Sequence, residues 1–469
     1  MPVRTHAPRV QVRLVKLVAR RNGVAERFAA AARDLDLTPY LGTAGDVTVN
    51  TSLLDGNGNF SITVADRSRD GQDTVYALAE PMDLVEIRAS RTPTGDGPLP
   101  LVMRGFIDSV QRAESVGEDG AVNRAVTIQG HDCAKLLQIT AARPQSRQPG
   151  SEPILSELML SSKDGMGARV MPVVSFMETI ITRVANPAIQ ALFAVEGKTL
   201  RPFRLDAGAV DGALIPGMTA PTEESVWTLL NAFVDRPWNE LFVEDEESGP
   251  VLRFRPTPYK DVDGRFIMPG ARDPGMVALS IDDVASWSAR RADANVANWY
   301  VVPPGQAAAL TNNAVNQQTV PGLDDRDHPN ARLELYGRKA MKRDTALGPI
   351  IALSPTAAPA AERMALADRH IAWRRTRAEQ LKAMNRDNSV FESVTATVKG
   401  SETLKIGRRL RLTRGGLTME GYITTVAHTI KPLRAWTTAL TLDRCTGFLE
   451  RSRRADLPYR AEFLGGPYR

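Results

Sequence analysis

Four groups of side chains in this 469-residue chain are of types that do chemistry when they stand close together. Asp55-Gly56-Asn57-Gly58-Asn59 puts oxygen-bearing side chains at alternate positions, as the opening of a calcium loop does. An EF-hand needs glycine and glutamate further on, where this chain has Phe60 and Asp66, so a hairpin turn is the simpler reading. Gly130-His131-Asp132-Cys133 gathers an imidazole, a carboxylate and a thiol in a row. A nucleophile and its base must converge in space, which neighbours in sequence seldom do, so a structural role at a strand end is expected. His428 is read the same way. The run Glu244-Asp245-Glu246-Glu247 could hold a cation, but Ser248-Gly249-Pro250 after it makes it a solvated hairpin tip. Arg369, Arg374, Arg375 and Arg377 invite a phosphate-binding reading; with Asp368 and Glu379 nearby, ion pairs or subunit contacts are expected instead.

The remaining inventory excludes whole classes of function. Cys133 and Cys445 lie far apart in the chain, which rules out a disulfide scaffold or a cysteine-rich zinc site. The five histidines (His6, His131, His328, His370, His428) show no metal-ligand spacing. No catalytic residue, metal or cofactor is expected. The 59 basic and 54 acidic residues leave a formal net charge of +5, too small a surplus for a dense cationic stripe, so dedicated DNA binding is poorly supported. No run approaches the roughly 20 apolar residues of a membrane span, and MPVRTHAPRVQVRL lacks the apolar core of a signal peptide. A cytoplasmic site of synthesis is expected.

The length is about three times that of a typical domain and predicts two to four domains. Residues 1–140 read as β-structure. Val10, Val12 and Leu14 alternate with Arg9, Gln11 and Arg13, and a hairpin is expected over 46–66, where Val47 and Val49 precede the Asp55–Gly58 turn and Phe60, Ile62 and Val64 follow it. Strands are predicted at 84–89, 101–111 and 124–129, and this spacing points to a barrel or sandwich. Residues 141–275 read as a middle α+β domain. One helix is expected from about Val173 to Phe193, broken at Asn186-Pro187. A second is expected after Thr222 as N-cap, with Val226, Leu229, Leu230 and Phe233 on its apolar face. A hairpin joins 240–244 to 251–255. Residues 276–358 form an irregular connection containing Trp287 and Trp299-Tyr300-Val301-Val302. A helix from about Pro359 to Met384, with Met364, Ala367, Ile371 and Arg374 on one face, opens a last unit over 359–451. Its strands are expected at 393–398, 409–412, 419–429 and 437–442. Residues 452–469 form a tail.

The two β-rich ends resemble each other. Leu101-Val102-Met103-Arg104-Gly105-Phe106-Ile107-Asp108-Ser109-Val110 aligns without a gap on Leu417-Thr418-Met419-Glu420-Gly421-Tyr422-Ile423-Thr424-Thr425-Val426, with five of ten positions identical. Met103, Gly105, Phe106, Ile107 and Val110 thus answer Met419, Gly421, Tyr422, Ile423 and Val426. Flanking strands keep the same order: Phe60–Val64 answers Val394–Val398, Val85–Ile87 answers Leu410–Leu412, and Val126–Ile128 answers Leu440–Leu442. A mid-strand glycine marks a bend or bulge of the kind that closing a barrel requires. The expected fold is mainly β with α+β insertions: two similar β-barrel domains in one chain plus a middle α+β domain.

With these segments in view, the sequence resembles the central hub proteins of contractile phage-tail baseplates, a family related to the hub-like part of type VI secretion spike proteins. Arg104–Val110 and Val126–Asp132 have the look of that family's first tube domain, Trp238–Val243 with Leu252–Pro256 of its middle region, and Val398-Lys399-Gly400 with Gly421–His428 of its second tube domain. The resemblance spans about residues 45–445. It implies a noncatalytic homotrimer whose two barrels per copy make a pseudo-sixfold ring, joining the tail tube to a trimeric spike and lining a channel for transient, nonspecific passage of DNA. Implied partners are tail tube proteins, the spike, baseplate wedge proteins and the tape measure protein; the implied location is the baseplate of a virion assembled in the host cytoplasm. Arg453, Arg454, Tyr459, Phe463 and Tyr468 make the tail a candidate docking segment, since arginine and aromatic side chains dominate interfaces. A tail-associated cell-wall hydrolase and the hub part of a type VI secretion-like spike are the alternatives.

Overall fold

The computed structural model describes residues 8–28, 34–42, 45–67, 74–92, 97–116, 120, 122–142, 171–192, 201–214, 224–303, 321–349, 360–414 and 417–453. The fold is mainly β with α+β insertions, and one thirteen-stranded sheet takes in both ends of the chain. The N-terminal part supplies β1 (Arg9–Val15), β2 (Asp46–Ser52), β3 (Asn59–Ala65), β4 (Leu84–Ser90), β5 (Leu101–Val116) and β6 (Val122–Asp132). A hairpin of β7 (Asn239–Glu246) and β8 (Gly249–Pro256) lies between. The C-terminal part supplies β9 (Met276–Ser280), β10 (Val284–Arg290), β11 (Glu392–Lys399), β12 (Arg409–Arg414), β13 (Leu417–Lys431) and β14 (Ala435–Cys445).

Side by side, the first set runs β2, β3, β6, β5, β4, β1 and the second β10, β11, β14, β13, β12, β9. Each strand therefore takes the same place in its set as its counterpart. All neighbours are antiparallel except β9 beside β12, whereas β1 beside β4 is antiparallel. The alternation expected from the sequence is what buries one face: Val47, Val49, Phe60, Ile62 and Val64 are all buried. Val12 and Leu14 of outer strand β1 share a core with Val47 and Val49 of β2 at the other side, so the first set curls around one interior although β1 and β2 do not pair. Leu279 of β9 shares the second interior in the same way with half-buried Val284 and Trp287 of β10.

The middle region packs Phe176, Leu230, Phe233 and Phe254 into a core that also receives Phe106 and Cys133. Three local expectations are corrected here. Asn186-Pro187 does not break its helix: Ile181–Ala185 widens into a π-turn between Val173–Ile180 and Asn186–Leu192, which gives the proline ring room beside the preceding turn. Asn186 stays fixed because its side chain exchanges two hydrogen bonds, of 2.8 and 2.9 Å, with the backbone of Phe203. The second helix, Val226–Asn231, is capped by Ser225, whose Oγ accepts from the Thr228 amide at 3.2 Å; Thr222 lies outside the described residues. On the long helix Ala360–Asn385, Ala367 and Arg374 are buried but Met364 is 69% exposed. The helix instead buries His370, Arg377, Ala378, Leu381 and Met384, one face two turns further along.

Candidate functional site

The fifteen-residue strand β13 serves two partners on one edge. Its first part, Leu417–Tyr422, pairs β12, and its second part pairs β2 of the other set, with Thr425 opposite Ser52 and Ile430 opposite Val47. This joint makes the two sets one sheet. Val426, His428 and Ile430 alternate inward, and Ile430 with Trp436 enters the first set's core. His428 sits in the joint opposite Val49. The Trp436 indole, which can only donate, gives its N–H to His428 Nδ1 at 3.1 Å, and the Thr438 hydroxyl lies 2.8 Å from the same nitrogen. Burial pushes the imidazole down to about 4, so it is neutral at physiological pH and joins the strands as an acceptor.

The aligned segments occupy matching ladder positions. Gly105 stands opposite Val85 and Gly421 opposite Leu410; Met103 stands opposite Ile87 and Met419 opposite Leu412. Phe106 then enters the middle region's core, whereas Tyr422 packs with the second set's core and sends its hydroxyl to the β7–β8 hairpin. β5 bulges between Ile107 and Ser109, and β13 bulges between Ile423 and Thr425, one residue of the extra count at the same place in each. Beyond the bulge Val110 faces Ile128 and Val426 faces Leu440. The counterpart of Leu440 is therefore Ile128, not Val126; a shift of two residues keeps every side chain on its face, so alternation alone could not fix this register. With that correction Cys133 and Cys445 become counterparts, Cys133 just after β6 and Cys445 the last residue of β14, each followed by a short helix. Glu86 and Arg104 face one another at 2.9 Å, and their counterparts Arg411 and Glu420 face one another at 2.6 Å with the charges exchanged.

Both sets rest on the β7–β8 hairpin. Tyr422 donates to Glu240, whose oxygens lie 2.6 and 2.7 Å away, and Arg255 closes on Glu240 at 2.7 Å and on the Gly407 carbonyl at 2.6 Å. Burial raises the Glu240 carboxyl, against the opposing pull of Arg255. The acidic run is solvated only at Glu247, and Glu244–Glu246 are half-buried. Glu244 pairs Lys405 at 3.0 Å and Arg253 at 3.1 Å, Glu246 pairs Arg253 and Arg204, and Glu247 pairs Arg88 at 2.7 Å. Asp245 is half-buried and accepts the Arg104 amide at 3.0 Å. Apart from Arg253 of the same hairpin, these cations come from residues 42 to 161 positions distant, and no local pattern announces them. Asp132 is buried near Asp245; burial first, and Asp245 second, push its carboxyl well up.

The other candidate chemistry disperses. His131 turns to Asp108, while Cys133 is buried against the Arg104 carbonyl with its thiol pushed up by burial, so the imidazole is not placed to activate it. The turn Asp55–Asn59 is a hairpin end: Gly58 donates to Asp132 at 2.6 Å, Asn59 accepts from Asn50 at 2.9 Å, and Gly56 packs against Trp227 at a φ of 74°. Among the described residues no group of three or more His, Cys, Asp or Glu is arranged to hold a metal ion. Arg374 and Arg377 are interior: Arg374 donates to the Val302 carbonyl at 3.1 Å, and Arg377 meets Asp235 at 3.2 Å while lying over the rings of Trp373 and Trp238. Arg369 and Arg375 remain exposed. No described helix is long and apolar enough to cross a membrane. Of the candidate docking segment, Arg453 donates to the Val262 carbonyl at 2.8 Å, while Arg454, Tyr459, Phe463 and Tyr468 lie outside the described residues.

No family model and no curated protein matches the chain. Among solved structures, similar folds include a tail protein from Neisseria meningitidis MC58 (12% identity, 94% of this chain and 97% of that one, TM-score 0.48). The 43 kDa tail protein of prophage MuSo2 from Shewanella oneidensis matches at 10% identity over 93% and 96%, with a TM-score of 0.46. Prophage tail protein gp18 from Listeria monocytogenes EGD-e matches at 9% identity over 92% and 94%, with a TM-score of 0.47.

Proposed function

We propose that this chain is the structural hub of a contractile phage-tail baseplate. Three copies supply six strand modules to a ring of approximate sixfold symmetry, which meets the sixfold tail tube on one side and keeps threefold symmetry for a trimeric spike on the other. The ring encloses the channel through which DNA passes, and wedge and tape measure proteins are its further partners. The role is noncatalytic and its place is the virion's baseplate. The observation that carries this reading is the β13–β2 joint: two modules of the same strand order are united edge to edge, in a head-to-tail manner that repetition would close into a ring. Tail context comes from the sequence segments that resemble the hub family.

Native mass measurement with end-on imaging of the purified chain tests it. A trimer with six similar lobes around an opening is expected; a monomer at the concentrations of assembly overturns the reading. Incubation with purified peptidoglycan should release no fragments. The tail segment docks on the spike or a neighbouring copy in this reading, and deletion of residues 456–469 with undiminished spike attachment would refute that part.

A further inference from the structure

The joint within the chain leaves two strand edges that pair with nothing among the described residues, and they are the counterparts of the two edges it unites. β13 runs past β12 and gives its second half to β2. Its counterpart β5 runs past β4, where pairing stops at Phe106, and Ser109–Val116 then pairs β6 on one side alone. The counterpart of β2 is β10, which pairs β11 and ends the sheet. In β5, Ser109 and all of Gln111–Val116 are exposed, as are Ala285, Ser286 and Ser288–Arg290 of β10. The β5–β6 hairpin ends on Val116 opposite Val122, 71% and 55% exposed. A long bare edge of this kind is a template for pairing with another chain.

A second observation marks where the occupant goes. In the first set, the inward side of β2 is covered by Ile430 and Trp436 from the β13–β14 hairpin. On the corresponding side of β10 there is instead a groove of about 660 Å³, whose lining includes Val284, Trp287, Ala289, Leu412 and Met419 together with the charged Arg291, Glu392 and Arg451. The hairpin that corresponds to β13–β14 is β5–β6, and its inward residues Arg112 and Glu114 already hold ion pairs with Asp66 at 2.7 Å and with each other at 2.9 Å. Their aliphatic stems can lie over Trp287 and the other apolar side chains of this mixed groove while the charges stay paired.

We infer that β5 of one copy adds to β10 of a second copy of this chain, in the antiparallel register of the internal β13–β2 joint. Carried over position by position, that register sets Gln111 opposite the partner's Arg290, Arg112 opposite the partner's Ala289, Ala113 opposite the partner's Ser288 and Glu114 opposite the partner's Trp287. Every copy then donates one edge and receives one, so the chains join head to tail and a closed ring leaves neither edge bare. This inference rests on the ring reading proposed above and specifies the contact that builds the ring.

Cysteine pairing in the full chain tests the register. Ala113→Cys and Ser288→Cys replace small, exposed residues, and the native Cys133 and Cys445 are buried and do not compete. Under mild oxidation the double variant should convert from single chains to covalent species ending at the closed ring. Each single variant alone should give none, and an equimolar mixture of the two singles should give dimers. Ala113→Cys with Ser286→Cys, displaced by two residues, should cross-link at least tenfold less. The control Thr48→Cys with Thr429→Cys should close within one chain at the internal joint. If mass measurement gives a trimer and the control closes, but Ala113→Cys with Ser288→Cys does not cross-link chains, the strand joint is overturned and the ring survives. A monomeric mass overturns both.

Discussion

Tyr422 and Glu240 are joined by a buried hydrogen bond, with the phenolic oxygen 2.6 and 2.7 Å from the two carboxylate oxygens. Tyr422 belongs to the second barrel and Glu240 to the middle hairpin, so one bond ties two regions that are 182 residues apart in the chain. Removing the hydroxyl leaves Glu240 buried with Arg255 as its hydrogen-bonded charged partner and Arg236 acting on it through charge. Tyr422→Phe should cost about 1–3 kcal/mol in denaturant unfolding, with secondary structure retained. An unchanged midpoint would show that the bond contributes nothing net.

The two mid-strand glycines are close approaches of different kinds. A Cβ on Gly421 would lie 2.5 Å from the Cys445 sulfur, a side chain, whereas one on Gly105 would meet the His131 carbonyl, which is backbone. Gly421→Ala should therefore destabilise by roughly 1–3 kcal/mol, and adding Cys445→Ala should recover most of it. Gly105→Ala should destabilise as well and gain nothing from Cys133→Ala. Thermal melts of the six proteins decide this, and equal rescue in both pairs would contradict it.

His428 makes the joint acid-sensitive. Its folded value is lowered to about 4 from an ordinary 6.5, so the neutral ring's contribution is fully present above pH 6.5 and is lost as pH falls through 4. The loss attributable to this group is on the order of 3 kcal/mol across that window. Stability measured by urea unfolding should decline less steeply between pH 6.5 and 4 in His428→Gln than in the native chain. Parallel profiles for the two proteins would remove His428 as the cause.

Cys133 and Cys445 are buried and burial pushes both thiols up, so neither presents a thiolate at neutral pH. A thiol reagent should label both at least roughly a thousandfold faster in denaturant than in buffer, since labelling requires opening. Rapid labelling of either under native conditions would mean that its strand end opens locally.

What the sequence carried by itself was everything that depends on near neighbours. Alternation at Val47, Val49, Phe60, Ile62 and Val64 around a glycine-rich turn defined the first hairpin, because strand period and turn chemistry are local properties. The aligned stretches around Gly105 and Gly421 carried the duplication for the same reason. Tertiary structure decided what depends on the other side of a contact. The counterpart of Leu440 was two residues from its aligned position, because a two-residue shift leaves the buried face unchanged. Glu244–Glu247 looked solvated until Lys405 and Arg88 were brought beside them, and the ion pairs or subunit contacts expected of Arg374 and Arg377 had no named partner until Asp235 and the rings of Trp373 and Trp238 met Arg377. β9 and β10 could not be read as part of the second barrel, since β9 takes its place only through parallel pairing with β12 more than a hundred residues later. Charge and periodicity are written in the chain; which distant group neutralises a charge, or completes a sheet edge, is settled only when folding closes the loops between them.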